Sequence, residues 1–126
     1  MSRYIDAGEQ LVVEMYVRDI KASRAFYQQL GFQLARDAGD FVELKWEDSL
    51  LFLEEVPDVP PPPAHQVGNI LVMVPNVDDY WALTQKLGCR VIRTVADREY
   101  GLRDFTIAGP DGIGLRFGTY LENHHL

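Results

Sequence analysis

Residues 11–36 read LVVEMYVRDIKASRAFYQQLGFQLAR, and residues 68–93 read GNILVMVPNVDDYWALTQKLGCRVIR. Laid over one another at an offset of 57, Val17 meets Val74, Ala25 meets Ala82 and Leu30 meets Leu87. Gly31 meets Gly88, and Arg36 meets Arg93. Asp19 meets Asn76, and both are good helix N-cap residues. The identities are few, so the shared order carries the weight: apolar run, N-cap, helix, Leu-Gly, second strand. An internal repeat of this kind sets the architecture before any local reading does.

Each half follows the same grammar. Residues 11–17 predict a strand and 21–30 a helix, closed by Gly31 where a left-handed residue ends helices. Residues 70–74 and 77–87 repeat this, with Gly88 as the stop and Asn76 with Asp79 resembling a capping box. Three further strands follow each helix, at 33–36, 41–47 and 50–55, then at 90–95, 102–108 and 113–120. Turn-forming clusters separate them at Ala38-Gly39-Asp40, Glu47-Asp48-Ser49 and Gly109-Pro110-Asp111-Gly112. Between the halves, Pro60 to Pro63 favour a stiff polyproline II spacer and exclude helix or inner strand. A docking segment for a proline-reading partner is the alternative, and no flanking basic residue supports it. The expected class is α+β: two βαβββ modules, about 9–55 and 66–121, joined by a linker at 56–65 in a single domain, 1–126.

Alternation within strands separates a core face from an uncovered one. Leu11, Val13, Met15 and Val17 form one row of the first strand, opposed by Val12, Glu14 and Tyr16. In the repeat, Ile70, Val72 and Val74 form the core row, while Asn69, Leu71 and Met73 oppose it. The odd offset exchanges odd for even positions, so the two assignments support each other. In the last strand Ile113, Leu115 and Phe117 point to the core, and Gly114, Arg116 and Gly118 away from it. Glycines beside Arg116 leave the room that close ligand approach requires. The facing of residues 50–55 and of Trp46 stays open.

Composition narrows the function. With 126 residues, 47% hydrophobic and 25% charged, the chain is that of one folded, soluble unit. Nineteen acidic against twelve basic residues, a net −7, argue against nucleic-acid phosphates as partners. The single Cys89 excludes an internal disulfide and a zinc-type cysteine pattern. Neither the opening Met1-Ser2-Arg3-Tyr4 nor any later run resembles a signal peptide or a membrane span, so a cytoplasmic protein is expected.

Residues 17–27 with Leu30-Gly31-Phe32, the run from Tyr100 to Phe105, and Gly109-Pro110-Asp111-Gly112 resemble the vicinal oxygen chelate superfamily. This is the glyoxalase I, bleomycin-resistance and extradiol dioxygenase group, and the resemblance covers nearly the whole chain. It implies a cleft on the sheet faces opposite the helices. It places the metal-ligand positions of the enzymatic members at Val12, Asn69, Phe52 or Glu54, and Arg116. Valine and phenylalanine cannot ligate a metal, and arginine repels one. His65 lies beside the prolines, and His124 and His125 in the tail.

The resemblance is therefore closest to the metal-free bleomycin-resistance branch, in which two chains pair and each cleft draws on both. It implies a cytoplasmic homodimer, linked to antibiotic resistance, that binds a small molecule with no cofactor, membrane or nucleic acid. Glu14 and Glu54 would supply negative charge in a cleft lined by Tyr16, Phe52, Asn69, Met73, Tyr100 and Arg116. Carboxylates beside aromatic rings suit a cationic ligand. Arg116 cuts against this and invites pairing with Glu14, or with an anionic ligand group. Each residue also has a plainer role: a solvated Glu14, an ion-paired Arg116, Tyr16, Phe52 and Met73 at a dimer interface, Asn69 bonded to local backbone, Tyr100 at a loop tip or closing over the cleft, and Cys89 as core filler. Two other classes stay open. One is a lyase- or dioxygenase-like enzyme, with an atypical metal site or metal-free with Glu14 as general base and Arg116 stabilising an oxyanion. The other is a dimeric scaffold with a vestigial cleft.

Overall fold

The computed structural model describes residues 3–122. His124 and His125 lie outside the described residues. Two four-stranded mixed sheets organise the chain, one in each of two compact units divided between Pro61 and Pro62. That division falls inside the proline run.

In the first unit, helix α1 (Ala7–Gln10) precedes β1 (Val13–Val17), α2 (Ile20–Gln29), β2 (Gln33–Asp37), β3 (Phe41–Trp46) and β4 (Ser49–Glu55). The strands lie in the order β1-β4-β3-β2, with β1 parallel to β4 and the other pairs antiparallel. The second unit repeats this with β5 (Asn69–Met73), α3 (Val77–Lys86), β6 (Val91–Asp97), β7 (Leu102–Ile107) and β8 (Gly114–Tyr120). Its order is β5-β8-β7-β6, again with only the first pair parallel. The two βαβββ patterns of an α+β fold are thus present. No described helix is long and apolar enough to cross a membrane.

The Leu-Gly signature acts as expected. After α2 the Gly31 N–H donates to the Gln28 carbonyl and the Phe32 N–H to that of Tyr27. After α3 the Gly88 N–H donates to Gln85 and the Cys89 N–H to Thr84, the same pair of bonds. This closure satisfies orphan carbonyls and requires a left-handed residue, which Gly31 (φ 120°) and Gly88 (φ 71°) supply. The helix starts differ. Asp19 accepts from the Ala22 N–H at 3.1 Å, as a cap should. Asn76 makes no such cap, so the capping box fails: its amide donates to the Asp79 carboxylate, and Thr119 Oγ1 accepts from the Val77 N–H at 3.0 Å.

Helices α2 and α3 each cover one sheet face. Met15, Val17, Tyr27, Leu30, Val42, Leu44, Leu51 and Leu53 are buried in the first unit, and Val72, Val74, Val77, Thr84, Phe105, Ile107, Leu115 and Phe117 in the second. Burial of this order is worth about 1.5–3 kcal/mol per large apolar side chain. Edge-to-face contacts link Tyr27, Phe32 and Trp46. Trp46 therefore lies on the helix side, and its ring fills the space over Gly31. Arg103 bonds Asp78 of α3 and Asp97 of β6, tying helix to hairpin.

Two expectations need correction. The first strand begins at Val13, not Leu11, because Leu11 caps α1, a helix the periodicity did not show. Gly8 lets α1 close on the β3–β4 turn: a Cβ there would stand 1.9 Å from the Asp48 carbonyl oxygen. As a result Leu11 (86% exposed) and Val13 (53%) are not core, and only Met15 and Val17 of that row are buried.

Candidate functional site

On the sheet face away from α2, register sets the side chains in transverse rows. Glu14 of β1 lies opposite Phe52, Phe52 opposite Glu43, and Glu43 opposite Arg36. The next row runs from Tyr16 to Glu54 to Phe41. Residues 50–55 thus place Leu51 and Leu53 in the core and Phe52 and Glu54 on the outer face. Phe41 and Phe52 meet edge to face at 5.3 Å, and Arg36 pairs with Glu43 at 3.2 Å. Glu14 and Glu54 lie close enough on this face for their carboxyls to interact. The neighbouring Glu14 carboxyl, then partial burial and the charge of Asp40, push Glu54 above the ordinary carboxylate value. Neither carboxylate has an ion pair among the described residues. An acidic pair beside Tyr16, Phe41 and Phe52 is what this face offers.

The second unit uses the same lattice differently. Its rows are Leu71, Arg116, Thr106 and Arg93, then Met73, Gly118, Asp104 and Ala96. Asp104 is fully buried and accepts from Arg98 Nε at 2.9 Å, from Arg116 Nε and Nη2 at 3.0 and 2.5 Å, and from the Tyr100 hydroxyl at 2.6 Å. Burial alone would raise its pKa, but the bonds from Tyr100, Arg98 and Arg116 outweigh it and hold the carboxyl below its usual value. The Arg116 guanidinium lies 5.4 Å from the Tyr100 ring centroid, and Arg93 donates to the Tyr100 hydroxyl at 3.3 Å. Asn69, Ile92, Arg93, Tyr100, Thr106 and Arg116 surround a hollow of about 440 Å³.

The structure therefore collects Glu14, Tyr16, Phe52 and Glu54 on one face, and Asn69, Tyr100 and Arg116 around one hollow. Met73 lies on the same face as that hollow but lines a different depression, with Pro75 and Tyr120. Arg116 finds its carboxylate in Asp104, within its own module. Tyr100 is tethered by its hydroxyl. The space beside Arg116 is already occupied: a Cβ at Gly114 would meet Asn69 Oδ1 at 2.3 Å, and one at Gly118 would meet Met73 Sδ at 3.4 Å. Those glycines make room for the protein's own side chains.

Sequence reasoning passed over Asp104, Arg98, Arg93 and Thr106. A signal existed, since Leu102, Asp104 and Thr106 alternate with Arg103, Phe105 and Ile107.

The model of the Glyoxalase/Bleomycin resistance protein/Dioxygenase superfamily matches residues 10–117. The chain belongs to that superfamily. No curated protein matches it in sequence. Among solved structures it is similar to a glyoxalase/dioxygenase from Nostoc punctiforme, at 17% identity and TM-score 0.77 over 97% of this chain and 99% of that one. It is also similar to a bleomycin-binding protein complexed with bleomycin, at 20% identity and TM-score 0.71 over 90% and 99%. A bleomycin resistance determinant encoded on the transposon Tn5 gives 18% and 0.72 over 89% and 98%. At these identities the likeness is one of fold.

Superfamily membership raises the question of a metal, and the donor set here does not suit one. Phe52 offers no donor, and Arg116 is a cation already bonded to Asp104. Glu54 and Asn69 are left, one carboxylate in the first module and one amide in the second. Among the described residues no group of three or more His, Cys, Asp and Glu is placed to hold an ion. Cys89 is half-buried, and burial pushes its thiol up, away from the thiolate a nucleophile needs.

Proposed function

We propose that this superfamily member binds a small molecule with a cationic group and an aromatic body, without a metal ion, and acts as a homodimer. The observation that carries the reading is the Glu14–Glu54 pair, two interacting carboxyls without an ion-pair partner among the described residues and flanked by aromatic rings. A bound cation would relieve the repulsion between the two carboxylates, and ring faces add cation–π attraction of about 0.5–2 kcal/mol. In this reading the ligand contacts are Glu14, Tyr16, Phe52 and Glu54 from the first module and Asn69, Met73, Tyr100 and Arg116 from the second. The pairing of chains draws support from exposed apolar side chains on the edge strands β1 and β5, namely Val13, Leu71 and Met73. The competing reading, with Glu14 as general base and Arg116 as oxyanion donor, is weakened because Asp104 already holds Arg116.

Bleomycin is the first probe, because it is the molecule bound by one structural neighbour. Calorimetric titration of metal-stripped protein is expected to saturate, with Glu14→Gln weakening binding about tenfold, the scale of one lost charged contact. A flat titration, or one that Glu14→Gln leaves unaltered, overturns the reading. Light scattering after gel filtration is expected to give twice the chain mass.

A further inference from the structure

The repeat places Arg36 and Arg93 at equivalent lattice positions, and their surroundings differ. Arg36 stands opposite Glu43 and is neutralised by it at 3.2 Å. Arg93 stands opposite Thr106, which carries no charge, and its guanidinium donates only to the neutral Tyr100 hydroxyl among the described residues. Beside it, Arg98 and Arg116 converge on the single carboxylate of Asp104. Two guanidiniums thus share one buried acid while Arg93 beside them has none among the described residues, in a chain whose net charge is −7. The lining of the adjoining hollow contains Arg93, Arg116, the Asn69 amide and the Thr106 hydroxyl and, among the described residues, no carboxylate. Ile92 and the Tyr100 ring give it an apolar flank.

We propose that this hollow is an anion site, taking an oxyanion on a small aromatic or apolar body, with Arg93 as its principal ion partner. Arg93 keeps a free fork for two oxygens, the geometry that distinguishes arginine in carboxylate and phosphate recognition. Arg116 presents its remaining Nη1 edge and is held in place by Asp104. Asp104 does not repel the anion, because both of its oxygens accept from donors and its side chain is 1% exposed. The cation-binding reading is carried by Glu14 and Glu54 of the first module; it shares Asn69, Tyr100 and Arg116 with this hollow but not Arg93, on which the anion site turns.

Phenyl phosphate and benzoate are the probes, followed by calorimetry and by amide shifts at Asn69 and Thr106. Saturable binding of at least one probe is expected, about tenfold weaker in Arg93→Gln, since a hydrogen-bonded charge is lost from the site. Arg93 makes no ion pair among the described residues, so this variant should fold normally. Arg36→Gln at the repeat-equivalent position should leave the affinity unchanged. Absence of saturation with both probes overturns the proposal. So does equal affinity in Arg93→Gln, or an equal loss in Arg36→Gln. A flat bleomycin titration leaves these outcomes readable, so the two readings fail separately.

Discussion

Phe41 and Phe52 in the first module occupy the lattice positions that Asp104 and Arg116 occupy in the second. One module puts an aromatic pair there, the other a buried ion pair. Behind both, the helix-facing side chains and the glycine closures are alike. Core parity and helix termination constrain the scaffold, while the outer rows can change character completely without disturbing it.

The largest test of that contrast is Asp104→Ala. It leaves Arg98 and Arg116 without their shared acid, and breaking such a buried pair costs about 3–5 kcal/mol. Phe41→Ala, at the equivalent position, should cost only about 1 kcal/mol beyond lost area, the scale of an aromatic pair. Urea denaturation of both variants would measure the difference, and equal losses would end the contrast. Next come the two closing glycines. Gly31→Ala combines a positive φ with a Cβ 2.7 Å from the Trp46 ring, whereas Gly88 faces open space. Expected costs are about 3 and 1 kcal/mol respectively, read from the shift in denaturation midpoint.

The modules also differ in how pH reaches them. The depressed pKa of Asp104 stabilises the fold above its unfolded value near 3.8, and this is lost as pH falls through the lower folded value. The raised pKa of Glu54 has the opposite sign: stability declines as pH rises from 4.5 through the higher folded value. Over that same rise, affinity for a cation should increase as Glu54 ionises. Glu54→Gln should abolish the alkaline-side drift and leave the acid-side loss intact, as monitored by thermal melts across pH 2–7. The smallest effect belongs to Arg36→Ala, whose exposed pair with Glu43 should contribute at most about 1 kcal/mol.

Much of this was legible in the sequence because it repeats locally. The parity of Met15 with Val17, and of Val72 with Val74, follows from alternation alone. So do the helix ends at Gly31 and Gly88. What stayed hidden depends on register between distant strands. Whether Phe52 or Leu53 faces the helix is set by the β3–β4 turn. That Asp104 meets Arg116 requires the β7–β8 hairpin to pair Thr106 with Arg116, a choice neither strand encodes by itself. Helix α1 was missed because a four-residue turn carries too little periodicity to detect, and its docking depends on one close approach at Gly8.

The parallel pairing of β1 with β4, and of β5 with β8, has a consequence for biosynthesis. Val13 cannot find its partner Leu51 until three intervening elements have been made, and Asn69 must likewise wait for Gly114. During translation each opening strand emerges with unpaired amides and apolar side chains, and non-local pairing of this kind is slow. The first module can complete its sheet once Glu55 has left the ribosome, before the second has an opening strand to expose. The proline run between them, unable to join an inner strand, separates these two episodes in time.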